Sequence, residues 1–255
     1  MSELYNDKMA SVYDAMYQTF IDYNEEYHFY NDILQNNRCH SVLELGSGTG
    51  NLALRFFQNN QKYLGLDASE DMIAIAKKRT SKSTFIHGDM REFTLGNPVD
   101  SILITGRSTS YLISNEDVYY CFDSVHQNLN DEGIFVFDFI DANRYIPYTE
   151  NNKSILHQAD CNGIPHYRDS NWKLTMSDNF LMEWTATYYT ILNNEKEIIA
   201  EDFSTVRVFT LNEIQLFLYM KGFEVLEIID RKTYAYDTYV IVAKKRNEPN
   251  FHSLK

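Results

Sequence analysis

With 255 residues, 44% hydrophobic, 15% aromatic and 23% charged, the chain has ample material for a packed core, which excludes wholesale disorder and fibrous repeats. Its length is compatible with one large domain or two small ones. Lys plus Arg number 23 against 36 Asp plus Glu, a net charge of −13, so neither a nucleic-acid nor a membrane partner is expected.

Residues 1 to about 38 read as helical, because Tyr5, Val12, Tyr13, Met16, Tyr17 and Phe20 recur at three- and four-residue spacings along one face. Ser41 to Leu45 is a short apolar strand that runs into Gly46, and Asn51 to Phe57 resumes as helix. Tyr63 to Asp67 is a second strand ending in an acid. Ser69 then caps a helix through Arg79, with acids in its first turn and bases in its last, as the helix dipole favours.

Thr84 to His87 and Ser101 to Thr105 read as two further strands. Ser114 and Asp117 open a helix that should end before Gly133, and Ile134 to Phe139 forms a fifth strand. Strands that are apolar throughout, alternating with amphipathic helices, imply a parallel sheet covered on both faces. From about 141 the composition turns to Tyr, Asn and Thr, with Asn193-Asn194-Glu195-Lys196 as a hairpin turn, which reads as an antiparallel insertion. Thr210 and Glu213 form a capping box for a helix that stops at Gly222, and Phe223 to Ile229 with Tyr239 to Ala243 close the sheet.

Cys39, Cys121 and Cys161 are odd in number and widely spaced, so neither a disulfide framework nor a zinc site is expected; the His and acid residues likewise lack metal-ligand spacing. The amino terminus shows no leader pattern and no apolar run approaches the roughly 18 to 20 residues that cross a bilayer. A soluble, cytoplasmic protein with reduced thiols is expected.

The informative stretch is Glu44-Leu45-Gly46-Ser47-Gly48-Thr49-Gly50, at a strand-to-helix turn. Glycines there let backbone approach a ligand where side chains would block it. A nicotinamide dinucleotide would call for Gly-x-Gly-x-x-Gly, yet the third glycine falls at 50 and position 51 is Asn. Glu44 would repel a pyrophosphate and attract a cation. S-adenosylmethionine, with its sulfonium and ammonium, fits, and Asp67 stands 21 residues after Gly46 at a strand end, from which a carboxylate can accept both ribose hydroxyls. A tight turn without a ligand is the alternative.

These residues resemble the class I S-adenosylmethionine-dependent methyltransferases: Val42 to Asn51 is similar to the glycine motif, Tyr63 to Ser69 to the ribose-binding strand, and Gly88-Asp89-Met90 to the adenine-contacting turn. The resemblance implies a doubly wound, mostly parallel seven-stranded Rossmann-like sheet built from 1–140 and 205–246, with 1–38 as a helical lid and 141–204 as an antiparallel β insertion over the acceptor. It also implies S-adenosyl-L-homocysteine as product and cofactor contacts from Tyr13, Tyr17, Glu44, Gly46, Ser47, Gly48, Gly50, Asp67, Ala68, Met72, Gly88 and Arg107. In the family's pattern Asp89 receives the adenine amino group and Met90 packs the ring. Val12 to Tyr17, Ser69 to Met72 and Gly88 to Phe93 look most like the N,N-dimethyltransferases of nucleotide-linked amino sugars in macrolide biosynthesis, although Phe139-Ile140-Asp141 stands where those enzymes carry tryptophans.

Methyl transfer from a sulfonium needs alignment more than acid-base chemistry, and orientation contributes on the order of 7 to 11 kcal/mol. Tyr13, Arg107 and Asp138 are the candidates nearest that chemistry. Tyr13 and Tyr17 either close over the sulfonium or simply pack the helix. Arg107 either clamps an acceptor anion or pairs with a neighbouring acid, and Asp138 either holds or deprotonates the acceptor or caps a helix. Tyr111, Tyr145 and Trp184 are candidate acceptor contacts; for Trp184, as for Tyr188 and Tyr189, a half-buried strand face is the other explanation. His126 reads as a packed or surface histidine. The expected partner is a small-molecule acceptor, an amine of a sugar or similar metabolite, handled by a monomer or homodimer. O- or C-methylation, a non-catalytic S-adenosylmethionine-binding module and a nicotinamide oxidoreductase are the competing readings.

Overall fold

A computed structural model of the chain describes residues 7–80, 84–151, 154–161, 163–175, 180–232 and 237–247. Tyr5, assigned above to the first helical face, lies outside them. The amino-terminal segment forms two helices, α1 (Asp7–Gln18) and α2 (Tyr23–Asn36), separated because the Asp22 side chain accepts from Asn24 and Glu25 N–H and caps a new start.

The elements then alternate: β1 (Ser41–Leu45), α3 (Asn51–Gln58), β2 (Lys62–Asp67), α4 (Glu70–Arg79), β3 (Thr84–His87), β4 (Val99–Ile104), a 3₁₀ turn at Ser108–Tyr111, α5 (Asn115–Asn128) and β5 (Leu129–Phe139). After α6 (Ala142–Asn151) come β6 (Ser154–Cys161), β7 (Ile164–Thr175), β8 (Leu181–Leu192) and β9 (Glu195–Arg207), then α7 (Leu211–Met220), β10 (Phe223–Arg231) and β11 (Thr238–Lys245). The main sheet has the order β10-β11-β5-β4-β1-β2-β3 and is parallel except where β11 runs against both β5 and β10. β6 to β9 form a separate antiparallel four-stranded sheet.

Both faces of the main sheet are buried, which explains its unbroken apolar strands. Leu43, Leu45, Ile102, Ile104, Phe135 and Phe137 face α5 and α7; the intervening Val42, Leu103 and Val136 face α2, α3 and α4. Thr210 and Ser114 start their helices with full capping boxes, as their spacing predicts. β1 lies between β2 and β4, so the loops leaving β1 and β4 diverge at the carboxyl edge and open a crevice there.

Three expectations are corrected. The helix from Ser114 ends before Gly133 as expected, at Asn128, but β5 begins at Leu129 rather than Ile134, so Gly133 lies inside the strand. The insertion opens with α6, which Asn143 and Pro147 obscure by their poor helix propensity, and which forms because Tyr145 and Ala142 bury one face. Position 204 falls inside β9, which continues to Arg207. The insertion is entered and left through one neck: Ala142 N–H donates to Phe209 O and Phe209 N–H to Ile140 O, both at 2.8 Å. No helix among the described residues is long and apolar enough to cross a membrane.

Candidate cofactor and acceptor site

Strand alternation turns Glu44 to the same side as Val42, away from the Leu43 and Leu45 face, at the exit of β1. It is 3% exposed; Tyr63 Oη donates to Oε2 and Thr105 Oγ1 donates to Oε1 at 2.8 Å. Burial pushes the carboxyl up to about 7 against the downward pull of those two hydrogen bonds. A buried acid held between two donors is a ready counter-charge for a cation.

The loop itself is stitched to the end of β2. Gly46 and Ser47 N–H both donate to Leu66 O, at 2.8 and 3.1 Å, and Gly48 N–H donates to Asp67 Oδ2 at 2.7 Å. Ser69 N–H donates to Asp67 Oδ1 at 2.8 Å. Burial raises the Asp67 carboxyl and these N–H groups pull it down. Each carboxylate oxygen has a further lone pair for a hydroxyl donor. Gly50 caps α3 at φ +74, where an added Cβ would lie 2.9 Å from Ala76 Cβ, while Gly48 at φ +53 faces open space. Ser47 Oγ is buried without a hydrogen-bond partner.

Helix α1 is bolted over this loop by Asp14. Its carboxylate accepts from Thr49 Oγ1 at 2.6 Å, Asn51 Nδ2 at 2.8 Å and Arg79 Nη2 at 2.6 Å, and Arg79 Nη1 also donates to Thr49 O at 2.6 Å. Burial alone would raise the Asp14 carboxyl, but Arg79 and the hydroxyl and amide donors hold it below the ordinary range. One turn apart on the same helix, Tyr13 and Tyr17 stack at 4.0 Å between ring centres and wall the crevice. The resulting cleft of about 130 Å³ is lined by Tyr13, Tyr17, Glu44, Gly46, Ser47 and Gly48 together with Glu26, Thr105 and Ser108.

The other sequence candidates surround this cleft without lining it. Gly88 N–H donates to Asp67 O at 3.0 Å, Ala68 O meets His87 Nε2 at 3.1 Å, and Met72 is buried on α4. Met90 Cε approaches Gly46, 3.8 Å from where a Cβ would stand. The Asp89 carboxylate, assigned above to the adenine amino group, is gripped by Arg91, which holds it low and 2.5 Å from Nη2. Arg107 adopts φ +65, and its N–H donates to Asp138 Oδ1 at 2.7 Å, so Asp138 fixes the turn after β4. Burial pushes the Asp138 carboxyl up to about 6 against the pull of Arg107.

Of the acceptor candidates, Tyr111 is exposed at the end of the 3₁₀ turn. Tyr145, 1% exposed, packs on Met182, Val206 and Val208 beneath the insertion. Trp184 lies on the insertion's inner face between Val12, Ala186 and Tyr188 on one side and Trp172 on the other. Sequence reasoning missed Asp14, Glu26, Thr105 and Ser108. Asp14 carried a signal, being the acid within the Val12 to Tyr17 stretch; the other three are polar residues whose neighbours come from distant elements.

A doubly wound sheet with a glycine loop at its switch point, flanked by two strand-end acids, defines a Rossmann-like protein with a cleft for a cationic nucleoside cofactor. The family described as the methyltransferase domain matches residues 42–133. An uncharacterized methyltransferase of Bacillus cytotoxicus is 31% identical over 155 residues, covering 58% of this chain and 72% of the relative. The dTDP-3-amino-3,4,6-trideoxy-alpha-D-glucopyranose N,N-dimethyltransferase of Streptomyces venezuelae is 30% identical over 138 residues, 53% of this chain and 58% of that protein. The crystal structure of Streptomyces venezuelae DesVI shares the fold, with a TM-score of 0.77 at 23% identity over 91% of this chain and 97% of that one. The chain belongs to the S-adenosylmethionine-dependent methyltransferase family. It spans 41% and 61% of the length of two other curated methyltransferases that it matches.

Proposed function

We propose that the protein transfers a methyl group from S-adenosylmethionine to a small-molecule acceptor, with an amine nitrogen of a sugar or similar metabolite as the group methylated. The observation that carries this reading is the pair Glu44, buried, and Asp67, partly buried, two acids at adjacent strand ends on either side of a glycine loop. The relatives with sugar N-methyltransferase names support the acceptor class.

The residues present fit the cofactor. Glu44 supplies the counter-charge, Asp67 the acceptor oxygens for ribose hydroxyls, and the unpartnered Ser47 Oγ a further polar contact. When bound, the cofactor supplies an electrophilic methyl on a positively charged sulfur. Tyr13 and Tyr17 close the cleft and exclude water, and aromatic faces favour a cation by roughly 0.5 to 2 kcal/mol. Asp138 holds the Arg107 turn, so in this reading both are positioning residues, and the sheet β6–β9 with Trp184 covers the acceptor. An attacking amine must be unprotonated, and alignment supplies most of the acceleration, on the order of 7 to 11 kcal/mol. The buried free thiols Cys39 and Cys121 suit a reducing, cytoplasmic setting.

Calorimetry with S-adenosylmethionine and S-adenosylhomocysteine, followed by mass spectrometry of products from a panel of amino sugars and amines, tests the reading. Tight binding and a 14-Da gain on an amine are expected, about one methyl group per turnover. Absence of binding at millimolar cofactor overturns it, and binding without turnover on any acceptor indicates a non-catalytic module.

A further inference from the structure

The inner face of the insertion carries a buried cation. Arg168 on β7 is 6% exposed, and among the described residues no carboxylate lies within ion-pair distance of it. Aromatic rings surround its guanidinium: Tyr17 and Trp184 at 5.5 Å and Tyr188 at 5.7 Å from ring centres. Tyr17 also walls the cofactor cleft, so the guanidinium and the cleft share that ring.

The same face holds several buried donors with no hydrogen-bond partner among the described residues. Arg168 Nε, Ser170 Oγ, Trp184 Nε1 and Tyr188 Oη are all buried without a hydrogen-bond partner. Cross-strand register puts them together, because Arg168 faces Tyr188 and Ser170 faces Ala186, two residues from Trp184 and from Tyr188. Such groups cost about 1 to 3 kcal/mol each when left unmade, so four in one patch point to a ligand rather than to packing. All four can donate, which specifies an acceptor-rich, anionic group.

The charge count narrows the class. Burial, and then Arg168 opposite it, hold the His157 imidazole on β6 below its ordinary range. Asp202 lies on the same face, opposite Ala186. A single guanidinium, with Asp202 out of ion-pair reach on the same face, suits a single negative charge and disfavours a diphosphate. A guanidinium fork matches a planar carboxylate with two parallel hydrogen bonds.

We propose that Arg168, with Ser170, Trp184 and Tyr188, binds a carboxylate on the acceptor, which makes the substrate a carboxylate-bearing amine. This inference rests on the methyltransferase reading for the word acceptor, but the anion site can be tested alone. Benzoate, its uncharged isostere benzamide, and phenyl phosphate are titrated calorimetrically into the full chain saturated with S-adenosylhomocysteine, using wild type, Arg168→Met and Arg168→Lys. Wild type is expected to prefer benzoate over benzamide by about tenfold or more, Arg168→Met to abolish the preference, and Arg168→Lys to keep part of it. Affinity for S-adenosylhomocysteine should stay within about twofold in both variants, which reports that they fold.

Equal binding of benzoate and benzamide by wild type overturns the proposal without any variant. A preference that survives in Arg168→Met overturns it too, and tighter binding of phenyl phosphate than of benzoate overturns the carboxylate assignment. If Arg168→Met fails to fold, an unchanged preference in Arg168→Lys overturns the guanidinium's role and a weakened one supports it. Failure of wild type to bind S-adenosylhomocysteine would sink the methyltransferase reading while leaving the benzoate comparison intact.

Discussion

Asp14 and Arg79 meet at 2.6 Å across the glycine loop, joining the first helix to the far end of α4. Their side chains are only 13% and 17% exposed, so the pair is shielded from solvent, and it shares Thr49 as a common partner. Asp14→Ala is expected to cost about 1 to 3 kcal/mol in α1 docking. Hydrogen exchange across residues 12–18 should accelerate, and affinity for S-adenosylhomocysteine should fall about tenfold. An Asp14→Ala chain with unchanged exchange in α1 would show that the latch does not hold the helix.

Glu44 trades stability for charge. Its carboxyl ionises near pH 4.5 in the unfolded chain and near 7 in the fold, so across that window the folded chain keeps a proton the unfolded chain has lost. Stability therefore falls as pH rises from about 4.5 to 7. Glu44→Gln is expected to melt higher than wild type at pH 8 by the equivalent of about 1 to 3 kcal/mol, with the gap closing toward pH 4.5. At pH 8 the same variant should bind S-adenosylmethionine more weakly, and wild-type affinity should rise from pH 6 to 8. Scanning calorimetry and titration at those pH values check both halves.

The glycines of the loop should not be equivalent. Gly48→Ala meets no neighbour, so it carries only the left-handed backbone penalty of about 1 to 2 kcal/mol. Gly50→Ala adds a collision with Ala76 to the same penalty, and its loss in a urea melt should be clearly larger. Equal losses would mean that the α3–α4 approach relaxes.

Asp138 offers a test of acid-base chemistry. Asp138→Asn keeps an oxygen to accept the Arg107 N–H, whereas Asp138→Ala removes it and releases a turn held at positive φ. If Asp138 only positions that turn, the Asn variant retains turnover within about threefold and the Ala variant loses about tenfold or more. A drop of about 100-fold in the Asn variant, with its melting temperature intact, would assign a proton to this carboxyl.

Much of this was legible in the chain because local rules and tertiary packing agree in the cofactor half. Ser114, Thr210 and Ser69 cap where their spacing says they should, and the apolar strands 41–45, 101–104 and 134–139 could be buried on both sides only by helices. The partners of each acid were hidden. Nothing local ties Glu44 to Tyr63 and Thr105, or Asp14 to Arg79, since those pairs arise from parallel register and helix packing across 19 to 65 residues. Arg79 read as a base complementing a helix dipole and also anchors α1 through Asp14. Arg168 gave no sequence signal, because alternating strand residues show which face is inward but not that four donors on it go unanswered.

The hydrogen-bonded doorway at Ile140, Ala142 and Phe209 is where the chain enters and leaves the four-stranded sheet, whose inner face also rests on α1 through Val12 and Tyr17. A chimera cut at those residues would exchange the sheet as a cassette, and its donor must match this chain in the spacing of two backbone carbonyls and two amides and in the apolar face turned toward α1.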